Sequence, residues 1–330
     1  MQRETMIQVR LALTAGALGA LALVGGASAA ELVLSVSDTG VSQVVAPSST
    51  RGFSGFQGQT DPGARADSQA EIPAFTMSDA EYARFLSDYK PAVPYYARDR
   101  AVPETVLGAD RRLRYSPKES GYPYRAVGQV TFTQNGSNYI CSGWLIGSNT
   151  VMTAGHCVHS GGSGGAWSTN VKFYPGRNGS KSPFGGCSAR TLYSQTGWTV
   201  SGSEGDDYGA IKLNCTIGNT TGSLGWWWTT ASQAGLPMLL LGYPGDKQSG
   251  TAWAAAARVE FSEAKKTRYK ADTAGGMSGG VVVQADGSGV CQGDCGIAVH
   301  AYGQDTLGTN SGTRITQTVS NLMTYWRDTP

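Results

Sequence analysis

The stretch DTAGGMSGG, residues 272–280, places Ser278 between glycines. Gly276 stands two positions before the serine, and Gly279 and Gly280 follow it, so the backbone can turn sharply here. A lone serine in such a segment usually belongs to an ordinary turn. The same arrangement can also present a hydroxyl for chemistry, with the backbone N–H groups of Gly276 and Ser278 directed at a developing oxyanion. The chemical interpretation requires a base and a carboxylate elsewhere in the chain.

Two further stretches supply those groups. In TAGHC (153–157) His156 follows a strand-like run, and in DDYGAIKL (206–213) Asp207 directly precedes one. Serine is a weak nucleophile until a base takes its proton, and a carboxylate must orient that base. We therefore predict a triad of His156, Asp207 and Ser278, with the adjacent Asp206 as the alternative carboxylate.

Composition bounds the class of protein. The chain has 330 residues, 46 of them Gly, with six Cys, 15% charged residues and a formal net charge of +2. This length suffices for one or two packed domains, and low charge with high Gly content favours a secreted β-rich protein over a disordered one. The small net charge gives no reason to expect a nucleic-acid partner.

The N-terminus has the features of a signal peptide, which we assign to residues 1–29. Arg3 and Arg10 precede an apolar run, LALTAGALGALALV (11–24), and ASA (27–29) offers small residues for cleavage. The alternative is an uncleaved membrane anchor, for which the apolar run is short. We expect secretion, with no stable membrane association after the signal is removed.

Export places the six cysteines in an oxidising compartment, where three disulfides are expected. Cys141–Cys157 closes a loop worth roughly 3 kcal/mol in the chain-entropy model. Cys291–Cys295 closes a very small loop, and Cys187–Cys215 remains. The alternative is a zinc site, but one C-x3-C and three His make a poor ligand set. We expect no metal and no cofactor.

The segment 30–104 differs from the remainder, because it lacks Cys and Trp and begins rich in Ser, Gly, Gln and Asp. Its residues 78–96 predict one helix, with Ser78 as a cap. We interpret the segment as a propeptide, with a separate accessory domain as the alternative. VPETVLGADRR (102–112) then suggests cleavage between Glu104 and Thr105.

From Thr105 the chain consists of short β-like runs separated by Gly, Asn and Ser, which predicts a barrel or a sandwich. One amphipathic helix closes the chain, with an apolar stripe formed by Ile315, Val319, Leu322, Met323 and Trp326. The runs are AVGQVTFT (126–133), YICSGWLIG (139–147), TVMTAGHCV (150–158), YGAIKLN (208–214), MLLLGYPG (238–245), GGVVVQ (279–284) and GIAVHAYG (296–303).

These motifs, with GYPGDK (242–247) and GTRITQTVSNLMTYW (312–326), resemble the bacterial glutamyl endopeptidases, which are secreted chymotrypsin-like serine proteases. The likeness runs from about Val106 to the last helix. It implies an all-β fold of two six-stranded antiparallel barrels with a C-terminal helix, the first barrel at about 105–225 and the second at about 226–330. It also implies that His156 is the general base, Asp207 its orienting partner and Ser278 the nucleophile.

The resemblance further bears on specificity and activation. It implies that His300 and Thr273 bind the side chain of a substrate Glu. Trypsin-like zymogens use an aspartate directly before the nucleophile to capture a new N-terminal ammonium, and Met277 cannot do so. Removal of residues 30–104 must then act differently, most simply by unblocking the cleft. His159 is expected on a solvated turn.

Three functions compete at this point. The first is a secreted endopeptidase, acting as a monomer on protein or peptide substrates after Glu. The second is a trypsin-like protease cutting after Lys or Arg, which Asp272, six residues before Ser278, would suit. The third is a protease-like binding module without activity, although such proteins usually lose a triad residue.

Overall fold

Two closed antiparallel β-barrels form the body of the structure, which is a computed structural model. It describes residues 33–40, 42–45, 105–115, 121–285 and 295–330. The expectation of an all-β chymotrypsin-like fold with two six-stranded barrels and a C-terminal helix is confirmed. The segment expected to be a signal peptide, the helix expected within 78–96 and Glu104 all lie outside the described residues.

The first barrel closes in the order β4–β5–β6–β9–β8–β7–β4, and every neighbouring pair is antiparallel. A hairpin of β1 (Val33–Ser37) and β2 (Ser42–Val45) adds to β8 outside this closed set. The six barrel strands are β4 (Val127–Gln134), β5 (Ser137–Leu145), β6 (Thr150–Thr153), β7 (Thr169–Pro175), β8 (Cys187–Gln195) and β9 (Gly209–Leu213).

The turn between β4 and β5 shows how local sequence sets the register. Asn135 and Gly136 both have positive φ, at 50° and 74°, and Gln134 pairs directly with Ser137. An Asn-Gly pair is the preferred sequence for a two-residue hairpin turn, because both central residues must adopt positive φ. The turn therefore fixes the register in which β4 and β5 pair.

The second barrel closes in the order β11–β12–β13–β16–β15–β14–β11. Two short strands join it, namely β3 (Leu113–Arg114) on β12 and β10 (Gly225–Trp226) on β15. Its six strands are β11 (Pro237–Gly242), β12 (Trp253–Ser262), β13 (Lys266–Tyr269), β14 (Val281–Gln284), β15 (Cys295–Tyr302) and β16 (Asn310–Arg314).

The helices are short except for the last. They are α1 (Gly155–Val158), α2 (Thr196–Thr199), α3 (Gly218–Thr221) and α4 (Gln317–Asp328), with 3-10 turns at Tyr124–Ala126 and Glu204–Asp206. Thr316 caps α4 by accepting a hydrogen bond from the Val319 N–H, and the predicted apolar stripe is buried. Across the described ranges, no helix is long and apolar enough to span a bilayer.

Apolar side chains are buried in each barrel and between the barrels. One cluster fills the first barrel around Val130, Phe173 and Ile211, and another fills the second around Leu240, Val282 and Ile297. A third joins the two barrels beneath α4, with Trp144, Trp226, Leu241 and Trp326 among its members. This shared core holds the facing loops of the barrels in fixed positions, which is what an active site between them requires.

Cysteine pairing follows the expected pattern within the described ranges. Cys141 bonds to Cys157 and Cys187 bonds to Cys215, with Cα–Cα separations of 6.3 and 6.1 Å. Cys295 is also disulfide-bonded, and its expected partner Cys291 lies outside the described residues. The Cys141–Cys157 bond ties β5 to α1, which carries His156.

Two segments, one at each end of the region from residue 105 onward, pack against the barrel that is more distant from them in sequence. Leu113–Arg114 lies within the range expected for the first barrel and pairs with β12 of the second. Conversely, α4 follows the second barrel and packs on the first, where Lys212 Nζ donates to the carbonyls of Trp326 and Arg327. Each barrel is therefore contacted by a segment that lies next to the other barrel in sequence.

Candidate active site

His156 and Asp207 meet between the barrels. His156 lies in α1, directly after β6, and Asp207 lies between the 3-10 turn Glu204–Asp206 and β9. One carboxylate oxygen of Asp207 is 2.8 Å from His156 Nδ1, and the other accepts the backbone N–H of His156 at 2.8 Å. Both side chains are buried. This two-point contact fixes the imidazole and allows Nδ1 to carry the proton that Asp207 accepts.

Asp206, the alternative carboxylate, has a different partner. Lys265 Nζ lies 2.8 and 2.9 Å from its two oxygens, in a partly exposed ion pair. The structure thus brings Asp207, and not Asp206, to His156. The backbone carbonyl of Asp207 accepts the Thr313 hydroxyl at 3.0 Å, which anchors the loop to β16 of the second barrel.

The turn that carries Ser278 is packed against the loop that carries His156. The Ser278 carbonyl accepts the Ser142 N–H at 2.7 Å, and Cys157 Sγ lies 3.9 Å from the same oxygen. Gly279 has φ +82°, and a Cβ there would lie 2.2 Å from the Ser142 carbonyl oxygen. Only glycine fits this approach, so the turn can sit directly on the first barrel.

Gly276 has a backbone conformation and a close contact that residues with a side chain cannot easily adopt. Its φ is +99°, and a Cβ there would lie 2.6 Å from the Tyr243 carbonyl oxygen. The Gly276 carbonyl accepts the Ser142 hydroxyl at 2.8 Å, and that hydroxyl oxygen accepts the Tyr243 N–H at 2.8 Å. Ser142 therefore ties both barrels to the serine turn. Sequence reasoning missed this residue because CSGW gives no signal of a contact across 134 positions.

His300 lies in β15 directly beside the serine turn. Its carbonyl accepts the Gly279 N–H at 2.7 Å, and its N–H donates to the Gly280 carbonyl at 2.9 Å. The imidazole is fully buried, and Tyr269 Oη lies 2.6 Å from Nδ1. Burial, together with the nearby His156, lowers the pKa of His300 to about 3. Tyr269 was not anticipated, because its pairing with His300 joins separate strands.

Thr273 is buried and binds the segment that begins at Thr105. Its hydroxyl oxygen accepts the Thr105 N–H at 3.1 Å, and its N–H donates to the Thr105 carbonyl at 3.1 Å. Asn310 Nδ2 donates to the same carbonyl at 2.8 Å and to the Ala271 carbonyl at 2.7 Å. Thr105 is thereby placed beside one of the two residues expected to bind a substrate side chain.

The side chain of Asp272 binds the same segment, which begins at Thr105. Its carboxylate accepts the backbone N–H groups of Leu107 and Arg111, each at 2.8 Å, and Arg111 Nε lies 3.4 Å away. The side chain is buried in this arrangement. A carboxylate that selects Lys or Arg substrates would have to face the pocket, whereas this one is occupied by its own chain.

His159 does not lie on a solvated turn, so that expectation is wrong. It is buried, its Nδ1 accepts the Gly161 N–H at 3.0 Å, and its ring meets Trp167 edge-on with centroids 4.9 Å apart. Burial lowers the pKa of His159 to about 4. The Gly-rich sequence after it suggested exposure, but those glycines let the loop fold back over the imidazole.

Comparison with known proteins identifies the family. The family model described as Trypsin matches residues 116–325. The chain belongs to the trypsin family of serine endopeptidases. A glutamyl endopeptidase of Bacillus licheniformis is 40% identical to this protease over 229 residues, which are 68% of this chain and 70% of the relative. A protein of Bacillus subtilis named extracellular metalloprotease is 40% identical over 227 residues, with the same coverage.

Solved structures give the same result. A Glu endopeptidase in complex with MPD matches this protease with a TM-score of 0.60 and 27% identity, covering 68% of this chain and all of the other. The protease Anisep from Arthrobacter nicotinovorans matches with a TM-score of 0.50 and 25% identity, covering 60% of this chain and 95% of the other. The fold and the class of reaction, hydrolysis of peptide bonds, are thereby established.

The name of the Bacillus subtilis relative raises the question of a metal. In the described ranges, the one group of three or more potential metal ligands close to one another is Cys141, His156 and Cys157. It does not fit a metal ion, because the two cysteines are bonded to each other and offer no thiolate. His156 is also engaged by Asp207.

Proposed function

We propose that this protease cleaves peptide bonds after Glu, through an acyl-enzyme on Ser278 with His156 as base and Asp207 as its orienting partner. The observation that carries the catalytic assignment is the pair of 2.8 Å contacts between Asp207 and His156, beside the glycine-bracketed serine turn. The 40% identity to a glutamyl endopeptidase supports the same assignment.

Each of these residues has its own role in the proposed reaction. Asp207 holds the Nδ1 proton, so Nε2 of His156 can take the proton of Ser278 as the hydroxyl attacks the substrate carbonyl. The N–H groups of Gly276 and Ser278 stabilise the oxyanion, each such donor being worth about 100- to 1000-fold in turnover. His156 then protonates the leaving amine, and water releases the acyl group by the reverse sequence.

A fluorophosphonate probe tests this assignment. We expect the processed protein to be labelled and Ser278→Ala to lose both labelling and hydrolysis. Asp207→Asn should lower kcat by about 10³-fold or more, because an amide that donates to Nδ1 places the ring proton on Nε2, which then cannot act as the base. Asp206→Asn is the matched control, since it removes a partly exposed ion pair and leaves His156 untouched. Equal losses in the two Asn variants, or labelling of Ser278→Ala, would contradict the triad.

Specificity for Glu rests on the surroundings of His300 and Thr273. A substrate carboxylate that leaves water needs hydrogen-bond or charged partners, or its burial costs several kcal/mol. His300 is neutral in the empty site, because its pKa is lowered to about 3. The Tyr269 hydroxyl can donate to Nδ1, which leaves the ring proton on Nε2 as a donor for a carboxylate. Asp272 contacts Leu107 and Arg111, which disfavours cleavage after Lys or Arg.

We further propose that the protein is exported by its signal peptide at residues 1–29 and matures by cleavage at Glu104–Thr105. The cut would convert the Thr105 N–H into an ammonium whose nitrogen lies 3.1 Å from Thr273 Oγ1. A positive charge there would favour an acidic substrate side chain next to Thr273. N-terminal sequencing of the secreted form checks the position. We expect Thr105 as the first residue, and a start downstream of Arg114 would contradict the proposal, because it would remove these contacts.

A further inference from the structure

The hairpin of β1 (Val33–Ser37) and β2 (Ser42–Val45) completes a strand edge that the barrel leaves open. At its beginning β8 pairs with β7, through Cys187 and Ser188, while its last three residues extend past that partner. β1 pairs with these three, with Ser35 opposite Gln195 and Ser37 opposite Tyr193. An open edge of this kind is a template for a further strand, and main-chain hydrogen bonds give such an addition its affinity.

The pairing continues beyond the strand. The Asp38 N–H donates to the Leu192 carbonyl at 3.2 Å, and the Leu192 N–H donates to Asp38 Oδ1 at 2.9 Å. The carboxylate of Asp38 thus satisfies a backbone donor of β8 that no barrel strand reaches on this side. This is a specific contact and not a generic strand pairing, because it needs an acceptor side chain at position 38.

The inner face of the hairpin is buried against α4. Trp326 Nε1 donates to Ser35 Oγ at 2.8 Å, and both side chains are almost completely inaccessible to solvent. Val33 and Val45 pack against the cluster that joins the two barrels. Removal of the hairpin would therefore uncover the largest side chain of the C-terminal helix and leave its N–H without this acceptor.

We propose that the hairpin stays bound to the protease as a non-covalent strand after the chain is cut between them, so that the mature molecule consists of two chains. The strand-binding site consists of Leu192–Gln195 and Trp326, and its occupant is the hairpin formed by β1 and β2 of this chain. None of these contacts depends on the covalent connection through residues 46–104. Neither β8 nor α4 carries a proposed catalytic residue, so the bound strand can stay while the enzyme works.

The test uses a Ser278→Ala precursor, residues 30–330, with a site for a sequence-specific protease inserted between Glu104 and Thr105. It depends neither on catalysis nor on the proposed maturation site. After the cut, we expect the fragment to co-elute with the protease domain in size-exclusion chromatography. A double variant, Ser35→Ala with Asp38→Ala, should bind about 10-fold more weakly or worse, because it leaves the Trp326 and Leu192 donors without these acceptors.

Gln43→Ala is the matched control, because Gln43 lies exposed on β2 of the same hairpin. Its fragment should co-elute like the unaltered one. Hydrogen exchange at Leu192 should quicken in the double variant, while exchange in β13–β16 reports that the domain is folded. Separation of the unaltered fragment at micromolar concentration would overturn the proposal. Equal retention of all three fragments would also overturn it, because residues 46–104 would then be responsible.

Discussion

Met277 stands directly before Ser278, and its surroundings explain why the residue is not an acid. It is fully buried in the core of the second barrel, among Met238, Leu240 and Val282. The Gly280 N–H donates to its carbonyl at 2.8 Å, which closes the turn after Ser278. The serine turn is thus held by apolar packing, where trypsin-like enzymes use an ion pair.

Met277→Asp should therefore destabilise the protein by about 3 kcal/mol or more, because it buries a carboxylate in an apolar cluster. Met277→Leu conserves volume and polarity and should cost less than about 1.5 kcal/mol. Urea unfolding in a Ser278→Ala background, which prevents self-digestion, measures both. A stable Met277→Asp variant would show that this position can find a cation, contrary to the packing described.

His159 gives a prediction for the pH dependence of stability. Its pKa is lowered to about 4 in the folded protein, against an ordinary value of 6.5. As pH falls from 6.5 toward 4, the unfolded chain takes up a proton that the folded protein does not, so this group favours unfolding in acid. In the Ser278→Ala background, His159→Gln should make the unfolding free energy fall less steeply between pH 6.5 and 4.5, by about 1 kcal/mol per pH unit. Parallel curves for the two proteins would contradict the burial argument. His300 acts in the same direction.

At the scale of elements, local patterns predicted the barrel strands unevenly. β4, β5 and β14 could be predicted because β-branched and aromatic residues alternate or run together between turn residues. β12 could not, because WAAAARVEFS begins with a run of alanines, which have low β-propensity and form a strand here through pairing with β11 and β13. The β1–β2 hairpin was not predicted, because its valines lie among serines in a segment rich in polar residues.

The residues of the candidate site likewise differ in whether local sequence could predict them. His156, Asp207 and Ser278 could be proposed as a triad from the sequence, because each lies in a short motif whose residue types point to that chemistry. Tyr269 and Ser142 were missed because their roles arise from contacts between strands far apart in sequence. Such contacts produce no local sequence pattern, so only the three-dimensional structure reveals them.

At the scale of the whole molecule, the part of the chain from residue 105 onward crosses between the barrels at both of its ends. Residues 105–115 attach to the second barrel through Asp272 and β12, and α4 attaches to the first through Lys212. The site lies where the barrels meet, so its geometry depends on segments that hold them together. Leu107 and Arg111 of this segment donate to Asp272, so the contacts that help to join the barrels also bear on the proposed substrate selection.

The most direct measurement of the central claim is kcat/KM of the processed enzyme on peptides that differ only in the residue before the scissile bond. We predict that Glu is preferred over Asp, with little cleavage after Lys or Arg. His300→Gln should lower kcat/KM for the Glu peptide by about 100-fold, the scale of a lost charge-assisted hydrogen bond, while fluorophosphonate labelling of Ser278 persists. His159→Gln, a second buried histidine outside the pocket, should keep the preference for Glu. Faster cleavage after Arg than after Glu, or normal Glu cleavage by His300→Gln, would contradict the account.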